Sequence, residues 1–233
     1  MPDTLAHRKI FGILVPYFNS VVEPELESLR PRAVSNQTGR FSLDANVLEE
    51  VADVAGKLTT CGVEAFVIGL ATDSFPDGLS LLRQGADDVA ARTGLPVFTA
   101  SHAAHAALAA FGVKRIAIVT PFDDDGNACV RSAFEAGGFD VVGMRGLACP
   151  SFDLIAHTPV DDIRRAFLDA DSADAEALVQ VGTGLPVLHL LDELESRFAK
   201  PVIASNAAAY WQALRGTGID DRIGGAGRLL AEL

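Results

Sequence analysis

The chain has 233 residues, of which 49% are hydrophobic and 21% charged, and its 19 basic against 31 acidic residues give a net charge of −12. That length and apolar content can bury a large core in one domain or two small lobes, and they exclude a disordered chain. The acidic balance argues against nucleic acid as a partner, because such a binder needs a basic face that displaces counterions.

Short apolar runs alternate with helical patterns along the chain. Ile10–Val15, Ala65–Leu70, Pro96–Thr99, Arg115–Thr120, Asp140–Gly143, Ala177–Val181 and Pro201–Ala204 read as strands buried on both faces. Asp44–Leu58 follows a helical period, with Asp44 as its N-cap, and Gly78–Thr93, Ala103–Phe111, Asn127–Gly137, Val160–Ala170, Leu188–Phe198 and Ala207–Arg215 complete the helices. This alternation predicts βαβ units and parallel sheets. Cys61, Cys129 and Cys149 form neither a zinc pair nor a disulfide framework, which fits a reducing cytoplasm. Met1 to Arg8 has no signal-peptide pattern, and the run Ile10–Val15 is too short to span a bilayer, so no membrane partner is expected.

The chain also repeats itself. Ile13-Leu14-Val15-Pro16-Tyr17 matches Ile118-Val119-Thr120-Pro121-Phe122, and Pro96-Val97 matches Pro201-Val202, both at an offset of 105 residues. Ser101-His102-Ala103-Ala104 and Ser205-Asn206-Ala207-Ala208 follow the second pair, setting His102 against Asn206. A shared offset predicts two similar lobes, with ligands in the crevice at their strand ends. Four polar loops close four strands: Pro16 to Ser20, Ala71 to Ser74, Pro121 to Asp124 and Gly182 to Gly184. Such loops can aim N–H groups and hydroxyls at an anion, or simply end strands and cap helices.

These residues carry a resemblance. Gly12-Ile13-Leu14-Val15-Pro16 with Asn19-Ser20 and Glu23-Pro24 resembles the opening of the maleate cis-trans isomerases. Arg115 to Phe122, Gly182 to Leu188, Lys200-Pro201-Val202-Ile203 with Ser205-Asn206 and Trp211, and Gly225 to Leu230 resemble later parts of the same group. The chain is thus similar to the aspartate/glutamate racemase superfamily, on the branch of maleate isomerases and arylmalonate decarboxylases. The resemblance implies an α/β fold of two Rossmann-like parallel-sheet lobes related by a pseudo-two-fold, with the active site between them. The lobes are expected at residues 1–98 plus 205–233, and 99–204.

The resemblance also implies one catalytic cysteine per lobe in the racemases and isomerases. Those positions fall on Thr72 and Gly182, so both thiols are absent and a two-thiol mechanism is not expected. What remains is an anion-binding frame: Asn19, Thr72, Ser74, Thr183 and Gly184 with Gly182 and Asn206, and Phe122 where the isomerases carry Tyr. Asp73 stands where the family has a neutral residue; it is a candidate general base, a helix cap or a repulsive charge. His102 is a candidate proton carrier beside the cleft or a helix-capping or packing residue, His105 reads as packing, His157 as loop structure or cleft rim, and His189 as early in the helix after Gly182. No carboxylate pair completes a metal set around His102 and His105, and no phosphate-binding glycine motif follows the first strand, so neither metal nor cofactor is expected. The expected function is a cofactor-independent isomerase- or lyase-type reaction on a small carboxylate or dicarboxylate, with Thr72, Asp73 and His102 as catalytic candidates. The alternative is a non-catalytic carboxylate-binding protein on the same scaffold. A homo-oligomer is compatible with either.

Overall fold

Among the described residues, eight strands form two separate four-stranded sheets, each wholly parallel and each wrapped by helices. The computed structural model describes residues 3–43 and 46–233. The first sheet has β1 (Lys9–Pro16), β2 (Val34–Phe41), β3 (Ala65–Ile68) and β4 (Val97–Thr99) in the order β2-β1-β3-β4. The second has β5 (Arg115–Thr120), β6 (Asp140–Gly146), β7 (Ala177–Gln180) and β8 (Val202–Ala204) in the matching order β6-β5-β7-β8. The central strands are apolar on both faces because helices cover both, as parallel sheets require. The expected two-lobed α/β architecture is therefore present.

The helices are α1 (Val22–Ser28), α2 (Val47–Leu58), α3 (Gly78–Thr93), α4 (Ala100–Phe111), α5 (Asp124–Ala136), α6 (Val160–Ala170), α7 (Leu191–Phe198), α8 (Ser205–Gly216) and α9 (Arg228–Glu232). The expected cap Asp44 lies outside the described residues; α2 starts after Asn46, whose side chain makes no capping bond. Three helices start earlier than their apolar periods suggest. β4 and β8 pass straight into α4 and α8, and α5 starts at Asp124 because Asp123 accepts the Gly126 N–H at 3.0 Å.

Strand β2 is absent from the sequence expectation. Its sequence, VSNQTGRF, buries Val34 and Phe41 in the core but is polar between them because it is a sheet edge. Asn36 accepts from the Tyr210 hydroxyl at 3.0 Å and donates to the Leu26 carbonyl, which ties β2 to α8 and α1.

Helices α4 and α8 pack together more extensively than any other helix pair, and each also reaches the other sheet's last strand: α8 touches β3 and β4, and α4 touches β8. The seam is built from small residues. Ala100, Ala103, Ala104, Ala107, Ala207, Ala208 and Ala213 are all buried, so the helix backbones approach closely and draw the two sheets together. Ala208→Leu should therefore force the helices apart and lower stability by about 1–3 kcal/mol, read as a lower urea midpoint at unchanged slope.

Candidate active site between the lobes

The strand registers define which loop residues correspond. Leu14 pairs with Ile68 in the first sheet, and Val119 with Gln180 in the second. Each ladder ends on the same bond, Gly69 N–H to Leu14 O at 2.8 Å and Val181 N–H to Val119 O at 3.0 Å. Leu70 is therefore the structural counterpart of Gly182, and Ala71 of Thr183. Thr72, set against Gly182 by sequence, lies two residues further on. The same logic shifts the helix match. α4 begins at Ala100 and α8 at Ser205, so Asn206 corresponds to Ser101 and not to His102.

These loops meet around a cavity of about 40 Å³, lined by Pro16, Phe18, Asn19, Leu43, Leu70, Ala71, Phe75, Phe122, Phe152, Ile155, Gly182, Thr183 and Gly184. Of the expected binding residues, Asn19, Phe122, Gly182, Thr183 and Gly184 come together here. No ionisable side chain and no cysteine lines the cavity among the described residues. The N–H groups of Ala71, Thr72, Thr183 and Gly184 have no protein acceptor among the described residues. The outer wall is aromatic: Phe18 stacks on Phe152 at 6.2 Å and Phe75 lies 5.8 Å from the same ring, all three partly exposed. The cavity volume is near that of one water molecule. A groove of about 460 Å³ adjoins it, sharing Phe75, Phe122, Phe152 and Ile155 and bounded by Ser74 and Cys149.

Asn19 organises the floor. Its side-chain Oδ1 accepts the N–H groups of Val21 and Val22, which starts α1, and its side-chain amide nitrogen donates to Thr183 Oγ1 at 3.3 Å. Thr183 in turn donates to the Gly69 carbonyl at 3.1 Å, so one threonine stitches the two lobes together. Arg40, at the end of β2, donates to the Asn19 carbonyl at 2.9 Å and pairs with Glu23 at 2.6 Å. Arg40 and Glu23 were not expected to shape the site, because their meeting depends on the unrecognised strand β2.

Gly182 is dictated by its backbone. Its φ is +115°, and a Cβ there would lie 2.7 Å from Pro121 Cδ and 2.8 Å from Pro121 Cγ. Gln180 fixes the same turn by donating to the Gly182 carbonyl at 2.7 Å, and Ser205 Oγ accepts the Gly182 N–H at 3.3 Å.

The remaining expected residues lie around the cavity instead of in its lining. Thr72 is buried, and its hydroxyl donates to the Gly78 carbonyl at 2.6 Å. Ser74 Oγ is buried without a partner near the start of α5. Asp73 is only 2% exposed; its Oδ2 accepts from Ser101 Oγ at 2.6 Å and its Oδ1 has no partner. Burial pushes the Asp73 carboxyl above the ordinary aspartate range, against the pull of Ser101 and, more weakly, of His105 and His102. His102 is exposed and bonded to Thr99 at 2.8 Å, with partial desolvation and then Arg83 lowering its pKa. His105 packs flat on Phe134 at 4.5 Å. Among the described residues no cluster of His, Cys, Asp or Glu is placed to hold a metal ion, and no helix is long and apolar enough to cross a membrane.

Residues 12–230 match the family of arylmalonate decarboxylases. The chain belongs to that family. It is 34% identical to the arylmalonate decarboxylase of Bordetella bronchiseptica over 80% of this chain and 79% of that protein. It is 26% identical to a maleate isomerase of Pseudomonas putida over 94% of this chain and 96% of that one. The fold agrees with both groups. A maleate isomerase structure from Pseudomonas putida superposes with a TM-score of 0.84 at 22% identity, covering 96% of this chain and 98% of that one. An unliganded arylmalonate decarboxylase superposes at 0.77 with 28% identity, covering 95% and 99%.

Two consequences of the family site's geometry can be measured. Gly182→Ala should cost about 1–3 kcal/mol through its positive φ and the Pro121 clash, seen as a lower denaturation midpoint. Asp73 gives a pH signature. A carboxyl whose pKa is raised by folding holds its proton more tightly in the native state, so its contribution is present at low pH and lost as pH rises through the folded pKa. Melting temperatures between pH 4 and pH 8 should therefore fall less steeply with pH in Asp73→Asn than in the parent.

Proposed function

We propose that this family member decarboxylates a small malonate-type dicarboxylate bearing an apolar substituent, through an enediolate, without a thiol or a cofactor. The carrying observation is a cleft lined by backbone N–H groups without protein acceptors and by Phe18, Phe75, Phe122 and Phe152, with no ionisable lining residue among those described. When a malonate loses carbon dioxide, the electron pair of the broken C–C bond passes into the remaining carboxylate. The N–H groups of Ala71, Thr183 and Gly184, which line the cavity and have no protein acceptor among the described residues, are the donors available to that developing charge, while the Thr183 hydroxyl proton is held by the Gly69 carbonyl. Donors of this kind are worth about 2–4 kcal/mol each to a transition state in a water-excluded site. Phe18, Phe75, Phe122 and Phe152 would hold the apolar substituent and leave the departing carboxylate poorly solvated, which favours its loss as a neutral molecule.

The absence of a thiol in the cavity favours decarboxylation over cis-trans isomerisation. Isomerising a double bond requires a nucleophile that adds and then leaves, and an unassisted threonine hydroxyl is a poor one near neutral pH. Loss of carbon dioxide needs only a place for the charge and a proton afterwards. In this reading the proton comes from water entering at the mouth. Thr72, Asp73 and Ser74 then shape the loop, and His102 stands outside the reaction.

Incubation with 2-methyl-2-phenylmalonate at pH 7, followed by chiral chromatography, tests this. Near-racemic 2-phenylpropanoate is expected, because water reaches both faces of a planar enediolate, and pretreatment with iodoacetamide should leave the rate unchanged. A single enantiomer would put a fixed acid on one face and overturn the water route. Binding without release of carbon dioxide would identify a carboxylate-binding protein instead.

A further inference from the structure

Glu25 is absent from the site as the sequence presents it, yet three elements converge on it. It lies on α1 in the first lobe, partly buried, and its Oε1 accepts the Leu188 N–H at 3.0 Å from the second lobe's chain. Its Oε2 accepts from Asn206 Nδ2 at 2.7 Å, on α8. The same Asn206 nitrogen donates to the Thr183 carbonyl at 3.0 Å. Glu25 thus holds the cleft loop from behind, while Asn19 holds Thr183 Oγ1 from the side. Glu25 does not line the cavity.

We propose that Glu25 is a positioning residue of the cleft: through Asn206 and the Leu188 amide it fixes the Gly182–Gly184 loop against the first lobe, so that the Thr183 and Gly184 donors face substrate. The arrangement has a counterpart at the start of α4. Asn206 and Ser101 are equivalent positions at the starts of α8 and α4, and each donates to a carboxyl, Glu25 and Asp73 respectively. Of these two carboxyls, Glu25 is the one that also takes an N–H from the segment after β7, at Leu188.

The position carries a proton signature. Burial pushes the Glu25 carboxyl up to about 7, against the pull of Asn206 and the amides of Leu188 and Val187. No charged neighbour contributes to that shift. On α1, Glu23 is paired with Arg40 and Glu27 with Arg30; α8 presents the neutral Asn206; beside Leu188, His189 is exposed and acts on Glu193. Any opening that hydrates Glu25 returns it toward the ordinary value of 4.5. Opening is therefore favoured as pH rises from that value through 7, by up to about tenfold per pH unit.

Hydrogen exchange of peptides covering 182–188, corrected for intrinsic rates, tests the proposal on the whole chain without substrate. Glu25→Ala should exchange there at least tenfold faster than the parent at pH 6, with α3 peptides unchanged. The parent should exchange faster in 182–188 as pH rises from 5 to 7.5, and Glu25→Gln should lack that rise. Parent-like exchange in a folded Glu25→Ala protein, or superimposable pH profiles for parent and Glu25→Gln, would overturn it. If Glu25→Ala does not fold, Asn206→Ala cuts the same link and is read in the same way. The inference rests on the cleft being the reaction site, but the exchange result stands apart from it: absence of malonate turnover would sink the proposed function and leave the Glu25 measurement to be judged alone.

Discussion

The close approach of α4 and α8 is the constraint on which the rest of the molecule depends. Each helix leaves the last strand of one sheet and lies against both the other helix and strands of the opposite sheet. Alanines along both helices permit that approach. With the helices in contact, the ends of β3 and β7 oppose each other, and the two loops that follow them have to share one small volume. The cavity between Ala71 and Gly182 is a result of this packing more than of any residue within it.

Within that shared volume the pseudo-two-fold is broken in a way that gives each lobe a different task. Leu70 and Gly182 are equivalent, as are Ala71 and Thr183, so the first lobe contributes bulk and bare backbone while the second contributes space and a hydroxyl. Gly182 has to be glycine because Pro121 occupies the place of a side chain. The hydroxyl of Thr183 can then reach the Gly69 carbonyl and receive the Asn19 amide. Behind the loops, the acids diverge too. Asp73 is tied by one oxygen to Ser101 at the start of α4 and has no partner on the other among the described residues, whereas Glu25 has both oxygens engaged, by Leu188 and by Asn206.

Much of this was legible in the sequence, and the gaps have physical causes. Strands apolar on both faces and the repeat at an offset of 105 residues disclosed two parallel lobes, since burial on two faces leaves a continuous apolar run. Strand β2 was not legible, because an edge strand that spends its side chains on hydrogen bonds looks like a loop. Helix α1 was missed because seven residues show too little periodicity, and its start is set by Asn19, a residue read only as a ligand contact. Asn19, Gly182 and Thr183 were legible as cleft residues because they follow strand ends directly. Thr72 and Asp73 were not legible in their partners. Both sit in the right loop, but their side chains turn toward Gly78 and Ser101, and only the folded path of the chain decides that direction. The one-residue difference between the lobes at the starts of α4 and α8 likewise hid the match of Asn206 to Ser101.

The chemistry open to this cleft follows from what its wall can and cannot supply. A carboxylate drawn into it leaves water for a surface of phenylalanine, leucine and alanine, which raises its energy unless the negative charge is dispersed or met by hydrogen bonds. In the proposed reaction the Ala71, Thr183 and Gly184 N–H groups, without a protein acceptor among the described residues, would meet one carboxylate. No lining residue among those described is basic, and the guanidinium of Arg40 is already committed to Asn19 and Glu23, so a second carboxylate would find no cation. On the proposed reading, a dicarboxylate bound here would have one end met by donors and the other poorly solvated. Loss of that second end as carbon dioxide would relieve the imbalance and deliver the electron pair to the end that is held. This is the physical ground for proposing decarboxylation over simple dicarboxylate binding.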